Sequence, residues 1–388
     1  YYLTGFREPE AVLAIVLGKK PRHILFCRDK NLEREIWDGF RYGPEAAREQ
    51  FGFDETCSID KLDALLPQML ENQPRLFTNL GADPAWDARV IGWLNQVRSR
   101  ARAGVQAPQE IIDLRVLVNE MRLFKDENEL ATMRRAAAVS RDAHARAMRF
   151  TRPGMFEYQV EAELLHEFYR HGSRFPAYTS IVAGGANACV LHYVENHARL
   201  NDGDLLLIDA GCELDGYASD ITRTFPVKGK FSAAQQDVYE IVLAAQLAAI
   251  DQARPGNHWN QPHEAALRVL AQGLLDLKLL QGSIDAVIEK ESYKQFYMHR
   301  TGHWLGRDVH DVGEYKLNGA WRTLQPGMVL TVEPGLYLRP ADNVPAGLAN
   351  IGIRIEDDVA ITGDGNEVLT AGTPKTVAEI EATMAERG

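Results

Sequence analysis

The residues with the most chemical promise are four carboxylates at the ends of apolar runs and three histidines in a glycine-rich stretch. Asp209 closes Leu205-Leu-Leu-Ile-Asp, which reads as a strand buried on both faces. A carboxylate at the end of such a strand needs a partner. Asp220 follows beyond Asp215-Gly216, a strong hairpin signal between two β-rich runs. If those two residues form the loop, Leu214 faces Tyr217, Asp209 faces Thr222, and Asp220 points to the same side as Asp209. The two aspartates then stand about 7 to 8 Å apart at the backbone, close enough to share an ion. A bulge would shift that register. Glu333 ends Met328-Val-Leu-Thr-Val-Glu and precedes Pro334-Gly335, which stops pairing. Glu356 lies in Ile351-Gly-Ile-Arg-Ile-Glu-Asp-Asp, with Arg354 on the same side by strand alternation. Taken singly, each acid has a plainer reading. Asp209 fits a capped or ion-paired strand end, and Glu356 fits a simple pair with Arg354.

His299, His303 and His310 fall within twelve residues. The spacing of the first two matches a helical metal pair, but Gly302 and Gly306 favour a loop or short strand, so no helical zinc signature is present. One such histidine is structural more often than not; three together point to a site. Carboxylates with an imidazole favour Mn²⁺, Co²⁺ or Zn²⁺ over a thiolate site. Four carboxylates balance two divalent ions in charge and repel one another without them. Two such ions sit about 3.5 to 4 Å apart and hold a bridging hydroxide at neutral pH, which is hydrolytic chemistry.

Two kinds of architecture must hold these groups. In the first third, strands at 11–18 and 22–28 flank Lys19-Lys20-Pro21, and a helix capped by Ser58 carries Leu62, Leu65, Leu66 and Leu70. A strand at 75–80 and a helix at 86–101 complete an α/β domain with no catalytic motif. A charged helix start at 122–128 opens the second part, and the boundary falls near residue 125, giving domains 1–125 and 126–388. That helix places Leu130, Met133, Ala137 and Met148 on or near one face and stops at Pro153-Gly154. Another spans 157–171 and ends at Gly172; Ser232 with Gln235 caps a third, and Pro262 starts a fourth. Strands are expected at 204–210, 217–227, 328–333 and 351–361. Blocks of strands and blocks of helices argue for an α+β domain with a mainly antiparallel sheet.

The chain has 388 residues, 43 Lys and Arg against 54 Asp and Glu, and a formal net charge of −11. That balance repels nucleic acid and anionic lipid. No apolar run reaches the ~18 to 20 residues that span a bilayer; the longest, 241–250, reads as a helix face. Cys27, Cys57, Cys189 and Cys212 lack C-x-x-C spacing and read as free thiols, which makes the cytoplasm the expected location. The chain opens on Tyr1-Tyr-Leu-Thr-Gly-Phe without Met, as though cut into a strand, so an upstream segment is expected.

In combination these blocks resemble the pita-bread metallopeptidases, and within them the bacterial Xaa-Pro aminopeptidase (aminopeptidase P) group. The resemblance covers nearly the whole chain. It rests on Leu3-Thr-Gly-Phe-Arg-Glu-Pro-Glu-Ala-Val-Leu, Leu191-His-Tyr-Val-Glu-Asn, Ile208-Asp-Ala-Gly, Ser219-Asp-Ile-Thr-Arg-Thr, Gly302-His-Trp-Leu-Gly, Val309-His-Asp-Val-Gly, Val332-Glu-Pro-Gly and Ile353-Arg-Ile-Glu-Asp, in that order. It implies a creatinase-type N-terminal domain, which shapes the cleft and builds oligomers, followed by a pita-bread catalytic domain. It also implies five metal ligands, Asp209, Asp220, His303, Glu333 and Glu356. Asp220 and Glu356 would bridge two ions, Mn²⁺ first, with Co²⁺ or Zn²⁺ as alternatives. The bridging hydroxide would attack the carbonyl before proline, and Glu333 would pass a proton to the leaving nitrogen. His192 and His310 would position the carbonyl and stabilise the intermediate. His299, Arg354, Tyr178 and Tyr337 would surround the proline. The expected partners are peptides with proline in second position and further copies of the chain, as a homodimer or homotetramer. An Xaa-Pro dipeptidase shares every ligand and is the alternative enzyme. Methionine aminopeptidase would not need the first ~125 residues, and a creatinase-like enzyme would lack the ligands. A peptide- or protein-binding pseudo-peptidase is the non-enzyme alternative.

Overall fold

The structure, a computed structural model, describes residues 1–386. The chain forms two compact units, Tyr1–Leu117 and a larger one from Val118 onward.

In the first unit, Val12–Val16 and Arg22–Cys27 form the expected antiparallel pair, with Val16 opposite Arg22. Arg22–Cys27 also runs parallel to Glu55–Ser58, and Arg75–Thr78 runs parallel to Glu110–Asp113. Parallel neighbours require a crossover, and helices supply it. Leu32–Asp38 and Gly43–Phe51 lie in the first crossover and Pro84–Ser99 in the second. The helix Leu32–Asp38 buries none of its side chains and leaves Leu32, Ile36 and Trp37 exposed. Leu62, Leu70, Val90, Trp93 and Val97 close over Ile24 and Phe26 to make the core. Asp83 caps the Pro84–Ser99 helix and starts it two residues ahead of the expected Trp86. The unit is the expected α/β domain.

The second unit begins its long helix, Glu127–Phe150, at a capping box. Asp126 accepts from the Asn128 and Glu129 amides, and the Glu129 carboxylate accepts from the Asp126 amide. Leu130, Met133, Ala137 and Met148 are buried, as their spacing predicts. Glu157–Arg170 follows, then Ala233–Gln252 with its Ser232–Gln235 capping box, and Gln261–Asp276 with Pro262 in the first turn. These helices share one large core with the strands.

Every strand pair of this unit is antiparallel among the described residues. Leu205–Asp209 lies between Ile181–Gly184 and Thr222–Pro226. Val329–Val332 pairs with Asp357–Ile361, and Gly335–Leu338 pairs with Ile351–Arg354. Two expected strands are corrected here. The run 217–227 breaks into Tyr217–Ala218 and Thr222–Pro226, and 351–361 breaks into Ile351–Arg354 and Asp357–Ile361. In each break the backbone leaves one partner for another, and alternating apolar residues carry no mark of that change.

Candidate metal centre

The breaks are where the acids sit. Asp215 and Gly216 have φ of +52° and +82°, as a two-residue primed hairpin loop demands. Leu214 therefore opposes Tyr217, and the same register carries down to Asp209 opposite Thr222. Between these ladders the strands come so close that a Cβ on Gly211 would lie 1.7 Å from the Ser219 carbonyl oxygen. Asp220 occupies this gap, and its amide donates to Asp358 Oδ2 at 3.1 Å. The other pair repeats the device. Val332 opposes Asp357 and Gly335 opposes Arg354, a single register that sets Glu333 against Glu356. Their amides turn outward, Glu333 N–H to Thr301 O at 2.8 Å and Glu356 N–H to Thr222 O at 3.1 Å. That last bond joins the two broken pairs.

His303 comes from a loop held against the same sheet. Its amide donates to Thr331 Oγ1 at 3.1 Å, and its Nδ1 lies 2.9 Å from Trp304 O. A carbonyl only accepts, so Nδ1 carries the proton and Nε2 is left facing the acids. Nε2 stands 3.4 Å from Asp220 Oδ2 and 3.8 Å from Glu333 Oε1. Asp220, His303 and Glu356 each offer a donor atom, all within 4.8 Å of one another. Asp209 joins them through Tyr178, whose hydroxyl reaches Asp209 Oδ1 at 2.5 Å and also contacts Asp220 Oδ1. One phenolic proton serves one carboxylate at a time.

Arg354 does not pair with Glu356. The strand break at Ile355-Glu356 aims the two side chains at different partners. The guanidinium reaches Asp209 Oδ2 at 2.6 Å, Thr222 Oγ1 at 3.2 Å and Tyr337 OH at 3.0 Å. The Glu356 carboxylate accepts one hydrogen bond among the described residues, from Thr222 Oγ1 at 2.6 Å.

The electrostatics follow from that division. Burial would raise the Asp209 carboxyl, but Arg354 and Tyr178 outweigh it and hold it low. Burial and then the Asp209 charge push Asp220 up. Burial lifts Glu333 to about 7 against the pull of His303 and Arg354. Burial and the Asp220 and Glu333 charges drive Glu356 well above the carboxylate range. Burial works against a charged His303, yet Asp220 and Glu333 raise it to about 9. Asp220, Glu333 and Glu356 are short of positive charge, and a divalent ion is the group that relieves such a shortage.

A cavity of about 660 Å³ opens onto the acids. His192, His299, His310, Tyr178 and Arg354 line it with them. A larger groove of about 840 Å³ runs along 141–152 and contains none of these residues. The His310 ring lies 4.3 Å from that of His303. Burial and then the Arg354 charge hold His299 neutral, down to about 3; its Nε2 meets Tyr337 OH at 2.8 Å. Tyr337 is fully buried and stands behind His299 and Arg354 rather than in the cavity wall. Thr222, Thr331 and Asp358 are parts of the site that the sequence reading misses. Thr222 and Asp358 lie inside motifs read only for their ligands, and Thr331 carries no chemical signal of its own.

The profile of metallopeptidase family M24 matches residues 131–363, and that of the aminopeptidase P N-terminal domain matches residues 1–77. The Xaa-Pro aminopeptidase of Escherichia coli K12 is 46% identical over 386 residues, which span 99% of this chain and 87% of that one. The solved aminopeptidase PepP of Pseudomonas aeruginosa superposes with a TM-score of 0.97 at 55% identity, over 99% of this chain and 87% of its own. A zinc-substituted Escherichia coli aminopeptidase P in complex with product gives 0.96 at 46%, over 99% and 88%. The chain belongs to metallopeptidase family M24, in its aminopeptidase P group, with an aminopeptidase P-type N-terminal domain ahead of a pita-bread catalytic domain.

Proposed function

We propose that this chain is a Xaa-Pro aminopeptidase that uses two divalent ions, Mn²⁺ first and Co²⁺ or Zn²⁺ as alternatives. The observation that carries the metal reading is three buried acids, Asp209, Asp220 and Glu356, with the half-buried Glu333 beside them, facing one guanidinium and one imidazole, three donor atoms already lying within 4.8 Å. The substrate reading is supported by relatives named for Xaa-Pro cleavage at 46% identity. Asp209, Asp220, His303, Glu333 and Glu356 are the residues that would hold the ions in this proposal. When bound, the ions supply a hydroxide at neutral pH and positive charge for the developing oxyanion.

The chain's own groups do the rest. Glu333 faces the cavity beside His303 and is the group proposed to pass a proton to the leaving proline nitrogen. His192 and His310 face the cavity, where they donate to the scissile carbonyl and orient it. His299 and Arg354 shape the proline side, Tyr337 fixes both from behind, and Tyr178 steadies the two aspartates. We further propose domains at 1–125 and 126–388, a homodimer or homotetramer, and a cytoplasmic location. Free cysteines fit the last of these, and no helix among the described residues is long and apolar enough to cross a membrane.

The experiment is cleavage by the purified, Mn²⁺-loaded protein, with products separated by chromatography. Xaa-Pro-Xaa tripeptides should lose their first residue. Release of proline from Xaa-Pro dipeptides alone would reassign the chain as a dipeptidase. No cleavage with Mn²⁺, Co²⁺ or Zn²⁺ would favour a binding protein.

A further inference from the structure

We propose that Arg300 receives a carboxylate on the leaving half of the peptide, at the third residue. The proposal rests on the aminopeptidase reading above and specifies a subsite of the same cavity. Arg300 is exposed and lines that cavity, whose other charged walls are mostly acids and histidines. Arginines on this acidic chain usually find a carboxylate, as Arg134 does with Glu367 and Arg322 with Glu120. Arg300 instead has neutral partners. Its Nη2 donates to the Asn260 side-chain oxygen, and its guanidinium carbon lies 5.0 Å from the centre of the Trp321 ring. Lys316 Nζ lies 4.1 Å from the centre of the same ring, so two cations share one indole. An amide and an aromatic ring fix a guanidinium without neutralising it, and its remaining donors stay available to a planar anion.

The position of Arg300 assigns the side of the peptide. His299 Nδ1 lies 3.9 Å from Glu333 Oε2, and Glu333 is the proposed donor to the leaving nitrogen. Arg300 follows His299 directly and lines the same cavity, and in this proposal the leaving half runs from Glu333 along that wall. Proline and a third residue span about 7 Å of extended chain, which sets the reach to that residue's carboxylate. Two carboxylates can arrive there, the free C-terminus of a tripeptide or the side chain of Asp or Glu.

The test compares Xaa-Pro-Ala, its C-terminal amide and Xaa-Pro-Glu amide with the Mn²⁺-loaded wild type, Arg300→Gln and Arg300→Lys. The wild type should favour the free acid over its amide by about fivefold in kcat/KM, mainly through KM. That ratio should fall to near one in Arg300→Gln and at about 1 M salt, while Arg300→Lys keeps part of it. An advantage shared by the Glu amide adds the side-chain carboxylate to the ligands; one confined to the free acid assigns the C-terminus alone. A wild type that favours neither the free acid nor the Glu amide over the Ala amide overturns the proposal, as does a preference that survives in Arg300→Gln. Failure of the wild type to cut all three peptides would overturn the aminopeptidase reading itself, a separate result.

Discussion

Glu356 and Asp357 are neighbours in the chain and equally hidden, at 2% and 0% exposure, yet their surroundings are opposite. Asp357 takes Arg223 Nη2 on one oxygen and Lys375 Nζ on the other, both at 2.7 Å, with Gln246 and Thr370 completing its shell. Burial works against its charge, but Arg223 and then Lys375 hold the carboxyl down to about 2. Glu356 has one hydroxyl and the charges of other acids nearby, and it is driven up. Alternation along both strands produces the split. Thr222 and Glu356 share one side, Arg223 and Asp357 the other. Burial alone therefore does not distinguish a structural acid from a chemical one. A satisfied shell marks a brace; a missing cation marks a place for an ion.

The largest effect should come from Glu356→Gln. We expect kcat/KM on an Xaa-Pro-Xaa peptide to fall by about a thousandfold or more, about 4 kcal/mol, with Mn²⁺ binding by calorimetry weakened in parallel. Urea unfolding of the metal-free protein should show no loss of stability, because burial and the neighbouring acids already push this carboxyl toward its neutral form, which an amide of the same shape replaces. A parallel collapse in stability would erase the distinction from Asp357. Arg223→Met should do the reverse on the other side of the sheet. It leaves Asp357 with Lys375 as its cation and one oxygen held by Thr370 only, and should cost about 3 kcal/mol in urea. Adding Asp357→Leu should restore much of that loss. If Arg223→Met unfolds at the wild-type midpoint, the pair is no brace.

The legible part of the site was the part set by local turn chemistry. Asp215-Gly216 fixes a short hairpin, and its register reaches Asp209 and Thr222 within a few residues. The facing of Glu333 and Glu356 was hidden because their strands change partners at the acids themselves. The partner of Arg354 was also out of reach. Strand alternation points to Glu356 two residues away, whereas the real contact, Asp209, is 145 residues distant. Motif resemblance supplied what periodicity could not, the grouping of Asp209, Asp220, His303, Glu333 and Glu356. It did not reveal that Arg300 stands in the cavity wall against an amide and an aromatic ring, because that depends on Asn260 and Trp321 from separate segments.

The smallest expected effect tests the same contrast on a base. His144 is wholly buried in the Glu127–Phe150 helix, close enough to both acid groups to feel Arg223, Asp209 and Asp357. Its Nε2 lies 2.9 Å from Ala210 O, next to Asp209, and therefore carries the proton of the neutral ring. Nδ1 is buried without a partner among the described residues, so a second proton there would find no acceptor in them. Burial above all lowers the ring from 6.5 to about 4. Above pH 6.5 His144 is neutral in the folded and unfolded chains and contributes no pH dependence. Between 6.5 and 4 only the unfolded chain gains the proton, so stability falls as the pH falls, by up to about 3 kcal/mol. Below 4 both forms are protonated and the loss levels off. His144→Gln, which keeps an N–H for Ala210 O, should flatten that part of the curve. The difference in urea stability between pH 7 and pH 4.5 should shrink by about 2 kcal/mol relative to wild type. Parallel curves for the two proteins would mean that His144 is charged in the fold, and the acids behind it would then have supplied a base with the counter-charge that Glu356 lacks.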